Sequence, residues 1–263
     1  MSKTIITAIQ AFTDNYIWVI SATQTNEIAL VDPGDAEVCI EYIEAQQAIL
    51  TDILITHHHP DHVGGIERLA KYCQQKQWPL TIYGPAHENI PLCDVKLVEN
   101  DSITLSMQTT PFHIIDLPGH TSGHIAYVSD QHLFCGDTLF SAGCGRLFEG
   151  TAEQMYQSLN KLAALPEHVA VFCAHEYTLA NITFALQVDP NNSELQQYHE
   201  KVKQLRAAHK ASIPTTIATE KMINPFLRCH TTNVQQSASE YSKQTLTSPV
   251  ETFSAIRQWK NHF

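Results

Sequence analysis

The sequence predicts an α+β protein in which helices cover sheets, followed by a mostly helical C-terminal domain. Two observations carry this. Through the first two-thirds, strand-like runs far outnumber helical patterns, and after about residue 176 the periodicity becomes helical.

The strand candidates are 3–10, 16–21, 27–32, 52–56, 80–84, 95–99, 102–106, 110–116, 124–129, 132–136 and 169–174. Most are rich in Val, Ile, Leu, Phe or Tyr and are bounded by turn residues. Helix patterns in this part cover 36–49, 63–75 and 152–164, the last opened by the capping-box pattern Thr151-Ala152-Glu153-Gln154. Segments 178–188, 193–210, 232–240 and 249–261 then read as helices, with a polar connection near Ile213-Pro214. The expected division is a strand-rich domain over 1–176 and a helical domain over 177–263.

A chain of 263 residues with 43% hydrophobic content can bury a sizeable core. The net charge of −11 argues against broad nucleic-acid binding or attraction to anionic membranes. Seven cysteines, odd in number and without a C-x-x-C pair, read as reduced thiols rather than a disulfide framework. Met1-Ser2-Lys3-Thr4 leads into a strand pattern instead of an apolar leader, and no stretch reaches membrane-spanning length. The expectation is a cytoplasmic protein with no membrane partner.

The most informative segment is Thr56-His57-His58-His59-Pro60-Asp61-His62-Val63-Gly64-Gly65. It lies between the apolar run 52–56 and a helical pattern starting near Val63, so its side chains belong to a strand-to-helix turn. In extended chain His57 and His59 face the same way and can chelate one ion, and Pro60 biases His59 towards that conformation. Asp61 and His62 lie across the turn at the helix start, which suggests a second ion. Three further candidates also follow strand-like runs. His120 sits in the Pro-Gly turn 117–124, Asp137 ends the run 132–137, and His175 ends the run 169–175.

Five histidines and two aspartates, with no thiolate among them, suit zinc, iron or manganese at a catalytic centre. Shared use of Asp137 gives each of two ions four protein ligands and leaves room for a water. Such a pair lowers the pKa of that water to about 7, which makes hydrolysis the natural chemistry. His58 reads as a supporting or structural residue. Asp32, in Val31-Asp32-Pro33-Gly34, is balanced between orienting the metal loop and simply shaping a turn.

His-x-His-x-Asp-His, with His120, Asp137 and His175 at these intervals, resembles the metallo-β-lactamase superfamily. That implies a four-layer αββα sandwich with a dinuclear site at one edge. A finer resemblance is to the glyoxalase II family, the hydroxyacylglutathione hydrolases. It is carried by 12–18, 136–140, 143–151, 174–178, 224–228 and the ending 256–263, almost the whole chain.

By that resemblance two divalent ions are held, zinc or alternatively iron or manganese. One takes His57, His59, His120 and Asp137; the other takes Asp61, His62, His175 and Asp137. Arg146, Tyr177, Arg257 and Lys260 would grip glutathione, whose two carboxylates suit a basic pair spaced i, i+3 on one helix. Two departures stand out: Phe148 occupies a position where some relatives have Tyr, and Arg146 one where some have Lys.

The implied reaction is hydrolysis of S-D-lactoylglutathione to D-lactate and glutathione, the second step of methylglyoxal detoxification. A hydroxide bridging the two ions would attack the thioester carbonyl, with Asp61 orienting it. The partner is thus a small-molecule glutathione thioester, and the expected state is a monomer. The competing readings are a glutathione persulfide dioxygenase with a single iron and a non-catalytic metal or glutathione carrier. A nuclease lacks its basic surface.

Overall fold

A computed structural model describes residues 4–107 and 110–263, so the expected strand 3–10 begins on a residue outside the described ones. The chain forms two compact units, Met1–Asp116 with Gly123–Gly136, and Leu117–Ser122 with Asp137–Phe263.

The first unit opens with three antiparallel strands: β1 (Thr4–Ala11), β2 (Asn15–Ala22) and β3 (Glu27–Val31). Helix α1 (Ala36–Gln46) leads to β4 (Ile49–Leu54), and α2 (Pro60–Val63) and α3 (Ile66–Lys76) lead to β5 (Thr81–Pro85) and β6 (Val95–Leu97). From β3 to β6 the pairing is parallel, giving one sheet in the order β1-β2-β3-β4-β5-β6. Parallel neighbours need crossover connections, which α1 supplies between β3 and β4 and α3 between β4 and β5. Leu30, Leu50 and Ile53 of the sheet pack in one core with Cys39 and Ile43 of α1 and Leu69 and Cys73 of α3. The unit also holds the antiparallel strands β7 (Ser102–Ile103), β8 (Phe112–Asp116), β9 (Ile125–Val128) and β10 (His132–Gly136). The buried Tyr127 of β9 donates its hydroxyl to the Ile55 carbonyl at 2.9 Å, tying this group of strands to the chain leaving β4.

Two expected helices are shorter than their patterns. Asp35 caps α1 by accepting the Glu37 N–H at 2.9 Å, but Gln47 turns left-handed and ends it, so β4 begins at Ile49 instead of 52. The helix expected over 63–75 is two helices, split at Gly64-Gly65. Pro60 starts the first of them, which places Asp61 and His62 inside a helical turn.

The second unit begins with the short hairpin β11 (Leu139–Phe140) and β12 (Gly143–Cys144), then α4 (Ala152–Ala163) with its capping box formed. Next come β13 (Ala170–Cys173), α5 (Thr178–Val188), α6 (Ser193–Ala207) and β14 (Thr215–Thr216), which pairs antiparallel with β13. Helices α7 (Ile217–Ile223), α8 (Thr232–Ser242) and α9 (Pro249–Asn261) complete it. Its core joins Ile182, Ala185, Leu195, Val202 and Ile223, and Phe226 stacks on Phe184 and meets Phe253 edge-on. All seven cysteines are free thiols, as expected, and six are buried. No helix among the described residues is long and apolar enough to cross a membrane.

Candidate metal centre and substrate pocket

Each unit builds a set of metal-type donors. In the first, β4 delivers the chain at Thr56 and extended His59 passes it into Pro60 and α2. The turn lies hard against the segment after β3. A Cβ on Gly34 would come within 1.8 Å of the Asp61 carbonyl oxygen, so only glycine fits there. His57 Nε2 lies 3.1 Å from His59 Nδ1, and His62 Nε2 lies 3.5 Å from Asp61 Oδ2. The His57 and His62 rings are 4.0 Å apart between centroids.

The nitrogens facing away from these contacts are engaged. His57 Nδ1 is 3.1 Å from Thr56 Oγ1, whose hydroxyl donates to Asp32 Oδ2 at 2.7 Å. His62 Nδ1 is 3.1 Å from the same Asp32 oxygen. A proton held on each Nδ1 leaves the lone pair on Nε2, the arrangement a ligating histidine needs. Asp32 thus stands against both Thr56 and His62, in a left-handed conformation at φ 52°. Asp61 is steadied by Asn15, which donates to its Oδ2 at 3.0 Å. His58 points elsewhere, with its Nδ1 2.9 Å from the buried Glu88 carboxylate, which also accepts the Gly123 N–H at 3.1 Å.

In the second unit Asp137 is the centre. His120 Nε2 lies 3.4 Å from its Oδ2, and His175 Nε2 lies 3.3 Å from its Oδ1. His120 Nδ1 is 2.8 Å from the Arg146 carbonyl, so its lone pair too is directed at the carboxylate. Each oxygen of one buried carboxylate thus faces an imidazole, the pattern expected of a bridging ligand. Donors held 2.0–2.2 Å from a tetrahedral ion are separated by roughly 3.3–3.6 Å. The donor pairs in both units are near that spacing, and their imidazole and carboxylate chemistry fits zinc, iron or manganese. A Cβ on Gly145 would meet the Asp137 backbone carbonyl oxygen at 1.9 Å, so the chain passes the Asp137 backbone only as glycine.

Asp137 and His120 also line a cavity of about 330 Å³ within the second unit, together with Arg146, Phe148, Tyr177, Arg257 and Lys260. Tyr177 stacks on the His175 ring with centroids 4.6 Å apart. Phe148 is largely exposed and meets His120 edge-on at 5.3 Å. Arg257 is buried and spends Nη1 on the Cys144 and Gly145 carbonyls, at 2.9 and 3.4 Å. Lys260 donates to the Ala180 carbonyl at 3.2 Å, above the Phe184 ring. Burial, reinforced by the neighbouring Arg257 charge, pushes its pKa down to about 8.

Sequence reasoning missed Asn15 and Glu88, which bond to Asp61 and His58, and Asn181, Glu220 and Asn224, which bond to the backbone of the turn between β11 and β12. Asn15 and Asn224 lie inside the segments that carried the family resemblance, which was the available signal.

Residues 12–175 match the model of the metallo-β-lactamase superfamily, and 176–263 match that of the hydroxyacylglutathione hydrolase C-terminus. Among solved structures, ETHE1 from Myxococcus xanthus is similar at TM-score 0.64 and 22% identity, covering 99% of this chain and 98% of that one. BLEG-1 B3 metallo-β-lactamase is similar at TM-score 0.60 and 23% identity, covering 86% and 99%. Fold and donor set together define a metal-binding protein of the metallo-β-lactamase fold, with a helical C-terminal region as expected. A hydroxyacylglutathione hydrolase of Shewanella halifaxensis is 50% identical over 258 residues, 98% of this chain and 99% of its own length. One from Aliivibrio salmonicida is 51% identical over 260 residues, with the same coverage. The chain belongs to the hydroxyacylglutathione hydrolase family.

Proposed function

We propose that this protein hydrolyses S-D-lactoylglutathione to D-lactate and glutathione, in the cytoplasm and as a monomer, as the second step of methylglyoxal detoxification. One observation carries the reading: a carboxylate flanked by two imidazoles lines the same cavity as Arg146, Arg257 and Lys260. A nucleophile-activating centre beside a cationic pocket suits a thioester whose thiol part bears two carboxylates. Relatives about 50% identical over nearly the whole chain bear the name hydroxyacylglutathione hydrolase, which favours this over a persulfide dioxygenase.

His57, His59 and His120 would hold one divalent ion and Asp61, His62 and His175 the other, with Asp137 shared and zinc as the expected metal. When bound, the ions supply Lewis acidity at the thioester carbonyl and lower the pKa of water. Asp61, fixed by Asn15, orients the attacking water. Arg146, Arg257 and Lys260 draw the glutathione carboxylates into the pocket, Tyr177 offers a hydroxyl, and Arg257 also bonds to the pocket wall through the Cys144 and Gly145 carbonyls. The leaving thiolate is stable enough to depart without a strong general acid. On this reading the chain divides into a catalytic domain over 1–176 and a glutathione-binding helical domain over 177–263, a division supported by family matches that meet within one residue of it, at 175/176.

The test is loss of thioester absorbance when purified protein meets S-D-lactoylglutathione, with metal assayed on the same sample. Rapid turnover with up to two ions per chain is expected. No turnover at full metal loading would sink the substrate assignment, and oxygen uptake with glutathione persulfide would then point to the dioxygenase.

A further inference from the structure

The turn joining β11 to β12 is held along its length by side chains from distant helices. The Phe140 and Gly143 carbonyls accept from Asn224 Nδ2 at 3.1 and 2.9 Å, and the Ser141 carbonyl accepts from Asn181 Nδ2 at 3.1 Å. Arg257 takes the next two carbonyls, as described above. Ala142 sits at the apex in a left-handed conformation, φ 55°, which is costly for a residue bearing a Cβ. Its N–H donates to Glu220 Oε2 at 2.9 Å, and the same oxygen accepts from Asn224 at 3.0 Å.

Glu220 is wholly buried, and no cation pairs with it among the described residues. A buried carboxylate in that position is expensive unless its hydrogen bonds are needed. The mechanism proposed above does not use it. Phe140, at one end of the turn, and Cys144 and Arg146, at and beyond the other, line the substrate cavity.

We infer that Glu220 is a positioning residue for substrate binding: by holding the Ala142 N–H it fixes the β11–β12 turn, and with it the pocket wall that receives the glutathionyl group. This rests on the thioesterase reading. The turn's other end is anchored separately, by the Gly145 N–H donating to the Thr138 carbonyl at 3.1 Å, so the effect falls on the wall and spares Asp137.

The test compares metal-loaded wild type with Glu220→Ala, Glu220→Gln and Glu220→Asp, by thioester kinetics and by calorimetric titration with glutathione. Loss of this buried acceptor in Glu220→Ala should raise KM roughly tenfold while kcat stays within about twofold and metal content is unchanged. Glu220→Gln keeps an oxygen for the Ala142 N–H and should restore KM to within about threefold of wild type. If the alanine variant does not fold, Glu220→Asp, which withdraws the acceptor by one methylene, should still raise KM. A folded Glu220→Ala or Glu220→Asp protein with wild-type KM and glutathione affinity would overturn the inference, as would loss of kcat together with metal. A wild type that binds glutathione without hydrolysing the thioester defeats the thioesterase reading alone, because the titration still compares the variants.

Discussion

Asp32 stands behind His62, with its Oδ2 3.1 Å from the imidazole Nδ1 and its Oδ1 accepting the Thr56 N–H at 2.8 Å. One carboxylate thereby stands against the imidazole of a candidate ligand and holds the backbone from which the metal loop departs. Outer hydrogen bonds of this kind make an imidazole a better donor and hold its ring in place.

Replacing Asp32 by Asn should weaken metal retention by roughly 10–100-fold, since an amide cannot accept from both Thr56 and His62 as a carboxylate does. Competition with a chromophoric chelator measures this directly. Retention equal to wild type would mean that Asp32 only shapes the turn.

Asp137 faces both His120 and His175, so its loss should remove more than one ligand's worth of affinity. Asp137→Ala is expected to lose turnover essentially completely and to purify with depleted metal. Dialysis of the wild type against chelator should abolish turnover, and divalent ions should restore it. A variant that keeps near-normal activity would exclude a bridging role.

Much of this candidate centre was legible in the sequence because its donors follow apolar strands and four of them cluster within six positions. His57, His59, Asp61 and His62 need only one turn to be brought together. The supports were harder to see, because they act across long sequence separations with no local pattern. Asn15 reaches Asp61 across 46 positions and Glu220 reaches Ala142 across 78. The fold was legible for the same reason: α9 at Pro249–Asn261 and β10 at His132–Gly136 are strongly patterned. Helix α7, seven residues opening on β-branched Ile217, is too short to show a helical period, and β11, β12 and β14 have two residues each.

Lys260 should impose a pH dependence on binding. With its pKa pushed down to about 8 by burial, the side chain is a cation below that pH and loses its charge above it. KM for S-D-lactoylglutathione should therefore rise as pH climbs through 8, steadily and without a matching loss of kcat. Lys260→Ala should show the high KM throughout, while Lys260→Arg, charged across the range, should flatten the profile. A KM that rises equally in Lys260→Arg would assign the titration to another group.

Glu220 should shape the pH dependence of stability. Burial raises its pKa from 4.5 to about 7, opposed by hydrogen bonds from Asn224 and Ala142. The folded state thus binds the proton more tightly than the unfolded one. Its contribution is fully present below about pH 4.5 and is lost as pH rises through about 7. Thermal unfolding should show wild type losing stability relative to Glu220→Gln between pH 5 and 8. Parallel Tm profiles for the two proteins would remove Glu220 as the cause.

The hairpin wall held by Asn181, Glu220, Asn224 and Arg257 also bears on how such an enzyme diversifies. Because these struts are neither donors to the ions nor part of the ligand loops, drift in the tail helices can reshape the mouth of the cavity while the hydrolytic machinery is inherited intact. Exchange of one such prop should therefore alter the fit of the thiol part of a substrate before it alters the chemistry at the histidines.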